Sequence, residues 1–149
     1  MLAIRKAVPA DAEVLCDLYG NHLNPQQDKT SQDMTAWREK IGRFHENPYH
    51  HLLVGEMDGR IVSAVTLVVI ENLTRHLRPY AIMENVVTHT DFRGRGFAAA
   101  LMNHASDIAA RLSCYKIMLL TGRKSNHILK FYEKCGYNKN DKTGFIKWL

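Results

Sequence analysis

The sequence predicts an α/β fold: a mixed, mostly antiparallel central sheet flanked by helices. Three observations predict it. Hydrophobic periodicity switches repeatedly between two and 3.6 residues, in the order β-α-α-β-β-β-α-β-α-β-β. "HLLVGEMDGRIVSAVTLVVI" places two β-rich runs around Asp58-Gly59, the preferred pair for a tight hairpin turn. A strand at 81–88, a helix at 94–112 and a strand at 116–121 form a βαβ unit, which requires a parallel pair and a right-handed crossover.

The elements follow in chain order. Residues 2–7 alternate apolar and basic side chains and read as a short strand. Pro9 and Asp11 mark a helix start, with Val14, Leu15 and Leu18 at core spacing and Gly20 closing it. Residues 21–32 are polar, contain Pro25, and read as a loop. A second helix spans about 33–46, with Trp37, Ile41 and Phe44 as its apolar stripe and Pro48 beyond its end. The second run of the hairpin is apolar on both faces and is expected to be a central strand. Residues 71–80 read as a polar loop before strand 81–88, and helix 94–112 follows with Leu101, Ala105, Ile108 and Leu112 as its buried stripe. A helix over 126–135 ends at Gly136, where a left-handed cap belongs. Two short strands, near Tyr137 and over 144–148, are expected to finish the chain.

At 149 residues the chain has the length of one domain, read as 1–149. A net charge of +5 fits an acidic partner, a phosphorylated ligand or plain solubility. A nucleic-acid partner lacks support, since no interleaved aromatics or recognition-helix motif appears. The N-terminus has no basic-then-apolar leader pattern, and the apolar run at 61–70 is about half of a bilayer crossing, so no membrane association is expected. Cys16, Cys114 and Cys135 are odd in number and widely spaced, reading as reduced thiols of a cytoplasmic protein. His45-Glu46 and His50-His51 lack further ligands at metal spacing, so no metal is expected. The sequon at Asn72 reads as chance.

Arg93-Gly94-Arg95-Gly96-Phe97-Ala98 opens the helix of the βαβ unit. The first amides of a helix have no internal acceptor and its dipole makes that end partly positive. Glycine lets a phosphate approach those amides, and arginine adds forked, charge-assisted contacts. The turn therefore reads as a pyrophosphate cradle; the other reading is a glycine-relaxed helix start with two solvated arginines. It is neither a Walker loop nor a three-glycine dinucleotide turn.

Arg93-x-x-Gly96-x-Ala98, after a strand and opening a helix, resembles the acyl-CoA signature of the GCN5-related N-acetyltransferase family. "SNHILKFYEKCGY" (125–137) is similar to that family's closing motif, and "IMENVVTHTDFRGRG" resembles the branch that includes glucosamine-phosphate acetyltransferases. The likeness extends over nearly the whole chain, strongest over 84–137, with Ala98 in place of the commoner Gly and Tyr137 in place of the usual Phe. The resemblance implies acetyl-CoA as co-substrate, held along its pantetheine arm by the backbone of Val86, Val87 and Thr88. The amides of Arg93, Gly94, Arg95, Gly96, Phe97 and Ala98 would take the pyrophosphate. Asn126 would contact the pantetheine and Tyr132 would lie near the sulfur. Family habit also implies a homodimer.

Acetyl transfer to an amine needs removal of a proton, a donor for the oxyanion and a departing thiolate. Tyr132 is the candidate acid, although it also reads as a packing residue beside Phe131. Glu84 is the candidate base, with strand alternation placing Glu84, Val86 and Thr88 on one face. Its plainer reading is a buried carboxylate paired with Arg75 or Arg78. Those two arginines would anchor an anionic group of the acceptor, or simply form a solvated basic loop. His89 is a weaker base candidate. No residue reads as a covalent acyl carrier, so transfer is expected to be direct, within a ternary complex. The acceptor is a primary amine: a small amine, a basic side chain, an N-terminus or an amino sugar phosphate. The rival reading is a non-catalytic acyl-CoA-binding sensor or regulatory module.

Overall fold

The computed structural model describes residues 1–23 and 33–149, so most of the expected loop at 21–32 lies outside the described residues. The chain divides into two compact units, residues 1–118 and 119–149.

The first unit is built on a five-stranded sheet in the order β1-β2-β3-β4-β5. Its strands are β1 (Ala3–Lys6), β2 (His50–Met57), β3 (Arg60–Ile70), β4 (Tyr80–Thr88) and β5 (Ile117–Met118). The first four pair antiparallel and β4 pairs parallel with β5, as a βαβ crossover requires. β2 and β3 are joined by Asp58 and Gly59, at φ 50° and 75°. Two successive positive φ values define the turn whose twist suits a two-residue hairpin.

Each face of the sheet carries its own core. On one face, Leu52, Val54, Ala64 and Val87 bury against Leu15 and Leu18 of α1 (Ala12–Leu18) and Ile41 of α2 (Met34–Glu46). Trp37 and Phe44 pack on the same cluster half-buried. Asp33 caps α2, its Oδ1 accepting from Thr35 N and Ala36 N at 2.9 and 3.2 Å. On the other face lie Leu53, Val65, Leu67 and Met83, with Leu101, Met102, Ala105 and Ala109 of α4 (Phe97–Arg111). Gly55 permits this approach: a Cβ there would stand 2.7 Å from Leu101 Cδ1. At the edge of the sheet, Arg5 holds Asp11 through two hydrogen bonds of 2.7 and 3.0 Å. Burial alone would push the Asp11 carboxyl up, but Arg5 and the Val8 amide outweigh it and hold it low.

A β-bulge divides β4. Thr66 faces Glu84 and Ala64 faces Val87, so one residue of β3 opposes Asn85 and Val86. Asn85 takes the left-handed conformation, φ 53°. Between 71 and 80, a single turn, α3 (Thr74–Leu77), replaces the expected irregular loop, with Arg75, His76 and Leu77 all at positive φ.

Several element boundaries differ from expectation. The helix expected from Gly94 begins at Phe97, because Gly94 and Gly96 are left-handed, at φ 75° and 79°. Gly20 does not stop the first helix, which continues as a wider turn over Tyr19–Leu23. The strand expected over 116–121 pairs only at Ile117 and Met118. Ile108 and Leu112 are half-buried; the fully buried stripe of α4 is Leu101, Met102, Ala105 and Ala109.

The second unit contains α5 (Asn126–Lys134) and a left-handed cap at Gly136, φ 89°. Tyr137 N donates to Tyr132 O at 3.1 Å and Gly136 N to Glu133 O at 3.0 Å, closing the helix end. The two strands expected near Tyr137 and over 144–148 are not formed among the described residues. β-propensity supplies a tendency, but a strand exists only within a ladder, and among the described residues no ladder forms over these stretches. Among the described residues no helix is long and apolar enough to cross a membrane.

Leu101 is fully buried between α4 and the sheet. Leu101→Ala is expected to lower unfolding free energy by about 2–5 kcal/mol, read as a shift in the urea midpoint at unchanged slope.

Candidate active site

The bulge at Asn85 determines what β4 offers. β4 bonds to β5 only around Ala81 and Ile82, with Ala81 N also donating to Lys116 O at 3.0 Å. Beyond Ile82 that edge of β4 has no strand partner among the described residues. Val86, Val87 and Thr88 lie on this stretch, Val87 buried and the other two half-buried. On the β3 side Ser63 Oγ donates to Val87 O at 2.7 Å and lies 2.8 Å from Thr88 Oγ1, which fixes the strand end.

The bulge also changes which side chains share a face. Glu84 lies opposite Thr66 and Val87 opposite Ala64, whereas Thr88 lies opposite Ser63. Because Ser63 points to the other side from Ala64 and Thr66, Glu84 and Thr88 stand on opposite faces. The expected common face of Glu84, Val86 and Thr88 is therefore corrected: unbroken alternation does not survive one extra residue. Glu84 is exposed rather than buried, and no ion pair joins it to Arg75 or Arg78.

The arginine-glycine turn follows at the end of β4. Both glycines are left-handed, and a Cβ built on either would meet nothing within 4 Å. Their conformation, not crowding, calls for glycine, and the space above them is open. Gly96 provides no side-chain cap, and the first internal helical bond runs from Ala100 N to Gly96 O at 2.9 Å. The opening amides of a 15-residue helix thus face outward at its positive end, an arrangement that fits a pyrophosphate.

The two arginines differ. The Arg93 guanidinium folds back, Nε donating to Thr88 O at 3.2 Å and Nη2 to His22 O at 2.9 Å. Arg95 lies over the Phe92 ring, 5.1 Å from its centroid. Arg93 thus fastens the turn to the end of β4 and to the turn after α1. His22 adds to that attachment: Thr90 N donates to its Nδ1 at 3.3 Å, and Thr90 Oγ1 lies 2.7 Å away. His22 and His89 stack with ring centroids 4.0 Å apart. Burial lowers the His22 pKa, and the neighbouring His89 lowers it further. Sequence reasoning missed His22 and Asn85. A histidine in a polar loop carries no periodic signal, whereas Asn inside a strand, tolerant of the left-handed region, was a legible one.

Of the acceptor candidates, Arg78 donates to Ser113 O and Cys114 O at 3.1 and 3.3 Å, and Arg75 lies 5.8 Å from the Tyr115 ring centroid. Both therefore sit against the connection between α4 and β5. On the opposite face of the sheet a cavity of about 560 Å³ opens between the strands and helices α1 and α2, reaching Glu84 and Asn85. In the second unit, Asn126 is the first residue of α5 and the Tyr132 ring lies 5.1 Å from Phe131 and 6.4 Å from Tyr137. The three cysteines are free, and burial raises the pKa of each thiol. Among the described residues no group of three or more His, Cys, Asp or Glu side chains gathers around a common point.

A β4 edge with no strand partner among the described residues lies beside an uncapped, glycine-relaxed helix N-terminus, and the comparisons identify the family. The profile of the acetyltransferase (GNAT) family matches residues 13–137, and the chain belongs to that family. A glucosamine 6-phosphate N-acetyltransferase of Trypanosoma brucei brucei is 34% identical over 84 residues, covering 56% of this chain and 55% of that protein. The match thus spans about half the length of that curated relative. A putative acetyltransferase from Agrobacterium tumefaciens has a solved structure with a TM-score of 0.88 and 38% identity, covering 99% of both chains. The glucosamine-6-phosphate N-acetyltransferase structure from Arabidopsis thaliana shares the fold, with TM-score 0.85 at 22% identity over 99% of this chain and 98% of that one.

Gly96→Ala forces a Cβ into the left-handed region and is expected to cost about 1–2 kcal/mol, measured by urea unfolding. The folded-state pKa of His22 lies below the free imidazole value of 6.5. Its contribution to stability is therefore whole above that value and is lost as pH falls through the folded pKa. An NMR titration of the His22 ring should show its midpoint below that of an exposed histidine.

Proposed function

We propose that this protein transfers an acetyl group from acetyl-CoA to a primary amine by direct attack in a ternary complex, the chain working as a single 1–149 acetyltransferase domain. The observation that carries the reading is the open β4 edge running into the Gly94–Gly96 turn, in a chain of the GNAT family. On this reading the backbone of Val86, Val87 and Thr88 holds the pantetheine arm as though it added a strand to the sheet edge. The amides of Arg93, Gly94, Arg95, Gly96, Phe97 and Ala98 take the pyrophosphate, helped by the dipole of α4. Arg93 acts chiefly by holding the turn, since its guanidinium already bonds two carbonyls.

Asn126 is assigned to the pantetheine and Tyr132 to the departing thiolate, both from the family's closing motif. A phenol of pKa about 10 facing a thiol near about 8.5 stabilises the developing charge mainly by hydrogen bonding, with late proton transfer. Glu84 is assigned to receive the amine proton, directly or through water. Its exposure at the bulge supports a route for that proton to solvent. Arg75 and Arg78 would anchor an anionic acceptor group only if Arg78 released the Ser113 and Cys114 carbonyls. An amino sugar phosphate is the second acceptor reading, favoured by the names of the curated relatives. The protein is proposed to work in the cytoplasm, without a metal, and as a homodimer. Phe145, Ile146 and Trp148, all strongly exposed, would supply apolar surface for a second copy.

Calorimetric titration with acetyl-CoA, beside ATP and a CoA lacking the 3′-phosphate, tests the reading. Saturable micromolar binding of acetyl-CoA but not ATP is expected; no binding would leave the turn purely structural. Tyr132→Phe and Glu84→Gln are each expected to lower kcat about 10²–10⁴-fold while leaving acetyl-CoA affinity within a factor of about three of wild type. Undiminished turnover in either variant would remove that residue from the chemistry. A non-catalytic sensor would bind acetyl-CoA and turn over no amine.

A further inference from the structure

The cavity beside Glu84 has a chemical character of its own. It holds about 560 Å³, the size of a small-ligand site, between β2, β3 and β4 on one side and α1 and α2 on the other. Its walls are mainly apolar and aromatic, with Tyr19, Trp37, Phe44, Leu52 and Val68 among the lining residues. Glu84 and Asn85 close the end at the bulge, beside the stretch of β4 assigned to the thioester.

Its polar capacity is small. The Tyr19 hydroxyl is engaged with Thr66, and burial pushes the Tyr19 phenol up to about 12, so it stays neutral. His50 lies flat on Phe44, ring centroids 3.7 Å apart at 8°. Its Nε2 is buried without a hydrogen-bond partner among the described residues, so it is one of the few polar atoms the lining offers. Among the described residues Lys40 is the single lysine or arginine on the lining and Glu84 the single carboxylate. Neither Arg75 nor Arg78 belongs to the lining.

We propose that the acceptor is a primary amine on an apolar body, an aryl- or alkylamine. Its hydrocarbon part fills this cavity and its amino group stands at Glu84. The proposal rests on the transferase reading and narrows it. A hexosamine phosphate would bring a dianion and several hydroxyls to a cavity whose described lining has one lysine and few free polar partners, leaving buried polar groups unpaired. An apolar amine places its single charge beside the single carboxylate and its carbon against carbon.

The test uses the full chain with acetyl-CoA and follows release of the CoA thiol. The acceptors are propylamine, butylamine, hexylamine, 2-phenylethylamine and glucosamine 6-phosphate. On the proposal, kcat/KM rises about fourfold per methylene along the alkyl series, and 2-phenylethylamine exceeds glucosamine 6-phosphate by about tenfold or more. Ala36→Trp, at an exposed α2 position on the cavity lining, is expected to cut kcat/KM for 2-phenylethylamine about tenfold while the KM for acetyl-CoA stays constant. The alkyl series on the unmodified protein is independent of whether that variant folds. A flat alkyl series with preference for the sugar phosphate overturns the acceptor class and leaves the transferase reading standing. Acetyl-CoA binding without turnover of any of these amines overturns the acceptor class too. Absence of acetyl-CoA binding overturns both.

Discussion

The extra residue in β4 is the constraint on which the rest of the site depends. A regular antiparallel strand from Tyr80 to Thr88 would keep one parity, one twist and one partner spacing along its length. Opposing Asn85 and Val86 to one residue of β3 breaks all three. It brings Glu84 to the α1–α2 face together with Val87, and sends Thr88 to the α4 face. Among the described residues the same strand then continues with no strand paired on its β5 side, so its main-chain donors and acceptors there make no ladder bonds. An unpaired edge inside a sheet is a hazard unless something adds to it. An extended amide-bearing arm is a chemically matched addition.

A second consequence concerns charge. Net charge of +5 invites the idea that arginines near the site bind anions, yet the structure engages two of them elsewhere. Arg93 bonds Thr88 O and His22 O, and Arg78 bonds Ser113 O and Cys114 O. On the proposed reading, anion affinity at the turn depends mainly on backbone amides and the α4 dipole, which have no rotamer freedom to lose. His22 belongs to the same economy of fixed parts. Its neutral ring accepts from Thr90 N and stacks on His89, tying the turn after α1 to the lead into the Gly94–Gly96 turn.

The sequence showed some of this plainly and hid the rest for physical reasons. Asp58-Gly59 specified its hairpin because both positions need positive φ, a requirement few residues meet. Gly94 and Gly96 were legible as a special helix start for the same reason, although the helix itself begins three residues later than expected. The βαβ unit followed from periodicity, and the family from the Arg93 to Ala98 motif together with the closing motif at 125–137 and the order of elements. The parity of Glu84 was not legible, since apolar alternation in "AIMENVV" fits a regular strand as well as a bulged one. The expected strands after Tyr137 failed because pairing is non-local and local propensity says nothing of a partner. The cavity was equally hidden: Trp37 and Phe44 read as core residues of a helix stripe, and only the packing shows them half-buried around a space.

Glu84 and the cavity walls together address the hardest step of amine acetylation. A free alkylamine has a pKa of about 10.4, so its reactive neutral form is scarce near pH 7. Apolar surroundings disfavour the ammonium, and a neighbouring carboxylate favours it. The two influences are separated in space here, with apolar side chains along the body of the cavity and the carboxylate exposed at its end. On the proposed chemistry, an amine enters as the cation through its attraction to Glu84 and gives its proton to that carboxylate, which touches both cavity and water. A buried glutamate would have needed a raised pKa to accept that proton and then a path to release it. On the proposed chemistry an exposed one at the bulge has the path already, so the extra residue in β4, rather than burial, is the feature that would suit Glu84 to the base role.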